Sequence, residues 1–345
     1  MFIKRGVVSR TLLVVVTALG AVVPTTAAAG DPPAPLSVVL GSTRPTNMAA
    51  AVGDRLQRST ARSRDVTGDG WPDLIARQPD LNNGTLWIYP HTRNPQGAIL
   101  GPRVLAGTNW NTMNWIGVAE LTGDTPEYET SASAPADLLA RRTDGTLFIY
   151  PHSGALNGKS TWGTPVTVGT NWNIYETLML ADINTDGFDD IFAVDNDEQK
   201  IYFYLHTGRL NGKSTFLPRQ LFGAGYSETD AGLFFTEWAR EDPDLVGIGE
   251  DGVVTAIRHT HKLTVGAGTW DTDDPWKFTA GQLDQTTTQR VFLMDVDGDG
   301  KNDIVKATPA GVLIYYPFNG WKSNPALGTP RTIGTGGWQA MDLLT

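Results

Sequence analysis

Along residues 61–345, short apolar runs alternate with clusters of Gly, Asn and Asp, and the runs have strand rather than helix character. Residues 85–89 (Thr-Leu-Trp-Ile-Tyr), 146–150 (Thr-Leu-Phe-Ile-Tyr), 201–204, 253–257 and 312–316 are rich in β-branched and aromatic side chains. A turn precedes each: Asn83-Gly84, Asp144-Gly145, Asp197-Glu198, Asp251-Gly252 and Ala310-Gly311. Another apolar run stands before each turn, so the pattern predicts five hairpins. A longer loop follows, identical at residues 156–161 and 210–215 (Leu-Asn-Gly-Lys-Ser-Thr), and then a strand ending in Gly107-Thr108-Asn109-Trp110, Gly169-Thr170-Asn171-Trp172 or Gly334-Thr335-Gly336-Gly337-Trp338. One unit is therefore four antiparallel strands, the size of a propeller blade.

The polar positions between the first two strands carry a second pattern. In residues 295–303 (Asp-Val-Asp-Gly-Asp-Gly-Lys-Asn-Asp), oxygen-bearing side chains occupy loop positions 1, 3, 5 and 9, with Gly at position 6. A hard, oxygen-seeking cation such as calcium requires this arrangement. Residues 65–73 and 182–190 repeat it. The candidate ligand sets are Asp65, Thr67, Asp69, Trp71 and Asp73; Asp182, Asn184, Asp186, Phe188 and Asp190; and Asp295, Asp297, Asp299, Lys301 and Asp303, about three calcium sites in all. An EF-hand is excluded, because position 12 of the last loop is Lys306 and the flanks are β-rich.

The three loops begin 117 and 113 residues apart, and each gap holds a degraded copy starting at Glu120 or Glu237. The result is five units of 55 to 62 residues, a spacing that signals a propeller. The expectation is an all-β, five-bladed β-propeller over residues 61–345, with residues 341–345 pairing with the first blade, because residues 61–64 are too polar to supply its missing strand.

On these loops and strands the chain resembles the FG-GAP and VCBS repeats, found in integrin α-subunit heads and some fungal lectins. That resemblance implies an Asp-rich calcium loop between the first two strands of each blade. A weaker likeness, on the Gly-rich turn and Trp of each unit, is to tachylectin-type five-bladed lectins.

Composition narrows the function. The chain has no cysteine, which removes disulfides, thiolate metal sites and cysteine nucleophiles. Residues 1–29 read as a secretory signal, with Lys4, Arg5 and Arg10 before an apolar run and Ala27-Ala28-Ala29 as the cleavage site, so the expected location is extracellular. Residues 30–60 read as a linker with a candidate strand at 36–40. A net charge of −10, more acidic once the signal is gone, disfavours nucleic acid and anionic membranes, and no later run is apolar enough for membrane insertion.

Four of the five histidines share one repeat position: His91, His152, His206 and His259, with Phe318 in the fifth unit. Either the ring caps a strand end and donates to a neighbouring loop, or it joins Asn157, Asn211 and the aromatic groups in repeated ligand pockets. Trp110, Trp172 and Trp338 pose the same choice between packing blades and stacking on sugars. No Gly-x-Ser-x-Gly elbow, His-Glu-x-x-His, phosphate loop or dinucleotide fingerprint occurs, so no catalytic residue is assigned. The expected function is a secreted, calcium-stabilised, lectin-like propeller for glycans or cell-surface polysaccharide. The alternatives are an adhesion module for a secreted or surface protein, and a polysaccharide hydrolase or lyase.

Overall fold

A computed structural model describes residues 64–122, 135–184, 186–195, 197–198, 200–224, 232–236, 244–249, 252–260, 270–280, 283, 290–321 and 323–345. The signal, the linker strand at 36–40 and most of both degraded loops lie outside the described residues. The chain forms a five-bladed β-propeller, each blade a four-stranded antiparallel sheet. Blade 1 contains β1 (Leu74–Gln78), β2 (Thr85–Tyr89) and β3 (Val104–Gly107). Blade 2 follows with β4 (Met113–Ala119), β5 (Asp137–Arg142), β6 (Leu147–Tyr150) and β7 (Val166–Gly169). Blade 3 comprises β8 (Thr177–Ala181), β9 (Asp190–Asp195), β10 (Lys200–Tyr204) and β11 (Gln220–Ala224). Blade 4 comprises β12 (Gly232–Thr236), β13 (Asp244–Ile248), β14 (Val253–His259) and β15 (Trp270–Thr279). Blade 5 comprises β16 (Arg290–Met294), β17 (Asp303–Ala307), β18 (Leu313–Tyr316) and β19 (Arg331–Gly334).

The ring closes through the C-terminal β20 (Leu343–Leu344), which becomes the first strand of blade 1. Ala76 pairs with Leu344 and Arg77 with Leu343, and Ile75 and Thr345 exchange backbone bonds of 2.9 and 3.1 Å. The Arg77 guanidinium pairs with Asp342 and reaches the carbonyls of Trp110 and Met113. Arg141 repeats this one blade on, bonding Asn114 and the carbonyls of Trp172 and Tyr175. First strands also touch one another, β20 on β4, β4 on β8, β8 on β12 and β12 on β16.

The second strand of each blade is apolar at consecutive positions because both of its faces are covered. In β1, Leu74 and Ala76 pack toward blade 5 while Ile75 packs toward blade 2. In β9, Ile191 and Ala193 face blade 2 while Phe192 and Val194 face blade 4. Alternation with period two thus gives five core clusters, one at each blade junction.

Candidate functional site

The three acidic loops are tight turns organised by their own carboxylates. Asp65 accepts the N–H groups of Gly68 (2.7 Å), Asp69 (3.0 Å) and Gly70 (2.7 Å). Asp182 accepts those of Asp186 and Gly187 at 3.0 and 2.8 Å, and Asp295 those of Gly298 and Gly300 at 2.8 and 3.1 Å. Gly at position 6 adopts φ of 87°, 93° and 84° in the three loops, a left-handed conformation natural to glycine.

In blade 5, Asp295, Asp297 and Asp303 bring one carboxylate oxygen each within 4.8 Å of the others, an oxygen-only set that fits a hard divalent cation. Burial, aided by neighbouring carboxylates, lifts Asp295 to about 6 and Asp303 to about 8. It likewise lifts Asp73 to about 7 and Asp190 well above the usual range. Charge at these positions is therefore costly without a counter-ion. Local cations answer part of it: Arg93 binds Asp69 at 2.8 Å and Lys301 binds Asp299 at 2.6 Å. In blade 3, Asn184 donates to Asp186 at 2.9 Å; in blade 1, Thr67 donates to Asp65 at 3.3 Å.

The position-9 aspartate has a second role that the sequence pattern does not announce. In every blade one of its oxygens accepts the N–H of the residue at the histidine position: Asp73 from His91, Asp137 from His152, Asp190 from His206, Asp244 from His259 and Asp303 from Phe318, at 2.7 to 3.0 Å. Asp137 and Asp244 persist in blades whose loops have lost the metal pattern, which is the signal that separates the two roles.

The histidines lie inside. His91, His152 and His206 are 3%, 7% and 3% exposed. His91 Nδ1 accepts the Arg93 N–H, so the ring proton sits on Nε2, which donates to the Val296 carbonyl of blade 5 at 3.0 Å. His206 likewise accepts from Gly208 and donates to Leu121 of blade 2 at 3.1 Å. Burial holds both below the usual imidazole range, His206 at about 4. Trp71 stacks on His91 at 4.6 Å and Phe188 on His206 at 4.8 Å. These rings pin blades together, and neither nitrogen of His91 or His206 faces a ligand. At position 7 only the backbone carbonyl is left to serve a cation.

The tryptophans also belong to junctions. Asn109 and Asn171 take φ of 65°, and a single helical turn then folds the indole back over the preceding glycine. A Cβ on Gly107, Gly169 or Gly334 would lie 2.1, 1.9 or 2.0 Å from the indole Nε1. Trp110 faces Tyr150, Trp172 faces Tyr204 and Trp338 faces Tyr89 of the next blade, at 5.1, 4.5 and 4.8 Å. Trp172 and Trp338 are buried and Trp110 is half-buried.

The Asn-Gly-Lys-Ser loops cross to the same junctions. Asn157 and Asn211 are exposed, and their N–H groups donate to Thr161 and Thr215 at 2.9 Å. Lys159 and Lys213 extend to Thr108 and Thr170 of the preceding blade, at 3.3 and 3.5 Å.

Between blades 2 and 3 these pieces frame an open groove of about 830 Å³, lined by Thr170, Asn171, Trp172, Tyr204, Lys213 and Arg219 among others. Tyr175 and Tyr204 share a 2.6 Å hydroxyl bond, and Arg219 donates to Tyr175 at 3.0 Å with its guanidinium 4.3 Å from the Tyr202 ring centre. A smaller groove of about 360 Å³ occupies the junction of blades 5 and 1, with Trp338, Tyr89 and Arg103. Tyr175 and Arg219 were not among the residues expected from sequence, whereas Lys213 belongs to the Asn-Gly-Lys-Ser loop that was. Their position at the junction depends on how blades meet, though the recurrence of Arg103 and Arg219 just before a fourth strand could have marked them.

No family model and no curated protein matches the chain. Among solved structures it is similar to an Agrocybe aegerita lectin described for specific recognition of non-reducing terminal N-acetylglucosamine, at 18% identity and a TM-score of 0.40, covering 77% of this chain and 67% of that one. It is also similar to BBS1N in complex with ARL6DN, at 11% identity and a TM-score of 0.34, covering 76% and 65%. Neither likeness assigns a ligand to this chain.

Proposed function

We propose that this protein is an exported, calcium-stabilised carbohydrate-binding propeller that holds saccharide in the grooves between blades. The observation that carries this reading is the groove between blades 2 and 3. There an apolar wall of Trp172, Tyr204, Ile174 and Leu217 stands beside the exposed polar groups of Thr170, Asn171 and Lys213. A pyranose offers the same pairing of an apolar C–H face with a rim of hydroxyls. The smaller groove between blades 5 and 1 repeats the plan, so a ring with several weak sites would gain by avidity. Calcium in the loops of blades 1, 3 and 5 would neutralise crowded carboxylates and fix the edges of the blades from which the grooves are built.

A glycan array probed with calcium-loaded protein tests this, provided it includes cell-wall and chitin fragments. Binding to one saccharide class, weakened by Tyr204→Ala, is expected. No binding above background, or capture of a protein partner that free sugar does not compete, would overturn it. Release of products from a polysaccharide panel would replace binding with turnover.

A further inference from the structure

The charge of the larger groove runs against the charge of the chain. The protein carries 37 acidic and 27 basic residues, yet among the described residues the groove between blades 2 and 3 is lined by Lys213 and Arg219 and by no Asp or Glu. Both cations are exposed. Among the described residues the Lys213 ammonium makes one long contact, to Thr170 at 3.5 Å. Arg219 makes one hydrogen bond among the described residues, to Tyr175, and lies against the Tyr202 ring. That leaves most of its five donors for another partner. The carboxylate whose field reaches Arg219, Glu198, is itself bridged to Lys200 at 2.8 Å.

The smaller groove repeats the feature. Arg103 stands there at the corresponding place, 4.0 Å over the Trp87 ring, and again no acidic residue lines the wall among the described residues. In both grooves an aromatic ring holds a guanidinium at the edge of an acid-free groove, which is how a planar cation is pre-organised for a planar anion. From this geometry we infer that the groove between blades 2 and 3 selects a saccharide bearing a carboxylate, a uronic acid, with Arg219 and Lys213 as the specificity-determining residues. The inference rests on the carbohydrate-binding reading and adds the class of sugar.

Affinity for three soluble tetrasaccharides tests it at physiological salt: one containing glucuronate, the methyl ester of the same molecule, and chitotetraose. A sulfated analogue separates carboxylate recognition from attraction to any anion. The free acid should bind about tenfold more tightly than its ester, the value of one charge-assisted pair at a partly exposed site. Arg219→Gln and Lys213→Gln should each shrink the ratio of acid to ester affinity, a readout that a general loss of sugar binding or of stability would not move. Equal binding of acid and ester, a preference that survives both substitutions, or binding of the sulfated analogue alone would overturn the inference. If neutral chitotetraose binds as well as the acid, only this inference falls; if no saccharide binds, the carbohydrate reading falls with it.

Discussion

Gly169 is held to glycine by the indole above it. With Nε1 of Trp172 only 1.9 Å from where a Cβ would stand, Gly169→Ala must push the ring off Tyr204 of the next blade. Overpacking of this kind costs about 1–3 kcal/mol. Thermal unfolding should show that loss, whereas Gly336→Ala, where nothing lies within 4 Å, should change stability by less than about 0.5 kcal/mol. The recurring Gly and Trp were legible in the sequence. Their contact was not, because it depends on a helical turn entered through an asparagine at positive φ. His206 gives a second residue-scale prediction. Its folded pKa of about 4 lies below the ordinary value of 6.5, so the unfolded chain takes up the proton first and the contribution of His206 to stability is lost as pH drops from about 6.5 to 4. The full loss is about 3 kcal/mol for a shift of that size. With calcium saturating, His206→Phe, the residue type that blade 5 uses in Phe318, should flatten that part of the pH–stability curve; an unchanged slope would place the titration elsewhere.

Among the elements, β20 has two residues and closes the ring. Without it the β1 edge would be open, and an open edge invites pairing with another chain. Deleting residues 342–345 should lower the melting temperature and raise light scattering on heating, and unchanged behaviour would show that closure does not depend on this strand. The closing strand could be read from sequence because blade 1 lacks an apolar first strand and the C-terminus supplies one. The strand β15 could not. Its sequence, Trp270 to Thr279, includes three aspartates, a lysine and Pro275, and looks like a loop until its place as the outermost strand of blade 4 is known. An edge tolerates proline and charge that an inner strand would not.

At the scale of the ring, every core cluster among the described residues lies between two blades, so the ring should unfold as one unit and anything that stiffens the loops should stabilise all of it. At about 1 mM calcium and a dissociation constant of about 0.1 mM, each occupied loop would add about 1.4 kcal/mol. Chelation should then lower the melting temperature measurably. The raised carboxylates give the sign of the pH effect. Without a cation, Asp73 at about 7 and Asp303 at about 8 hold protons that the unfolded chain has released, so stability should fall as pH rises from about 4 to 8. Saturating calcium, which needs those groups ionised, should remove or reverse that slope. The five units, the three acidic loops and the ring were all visible as repeats. The grooves were not, because they are made where one blade's turn meets the next blade's loop. A crystal of the calcium-loaded protein soaked with the best-binding saccharide bears most directly on the claim that these junctions are the functional sites. Sugar against Tyr204, Asn171 and Arg219, between blades 2 and 3, is the predicted result; sugar bound only elsewhere on the ring would contradict it.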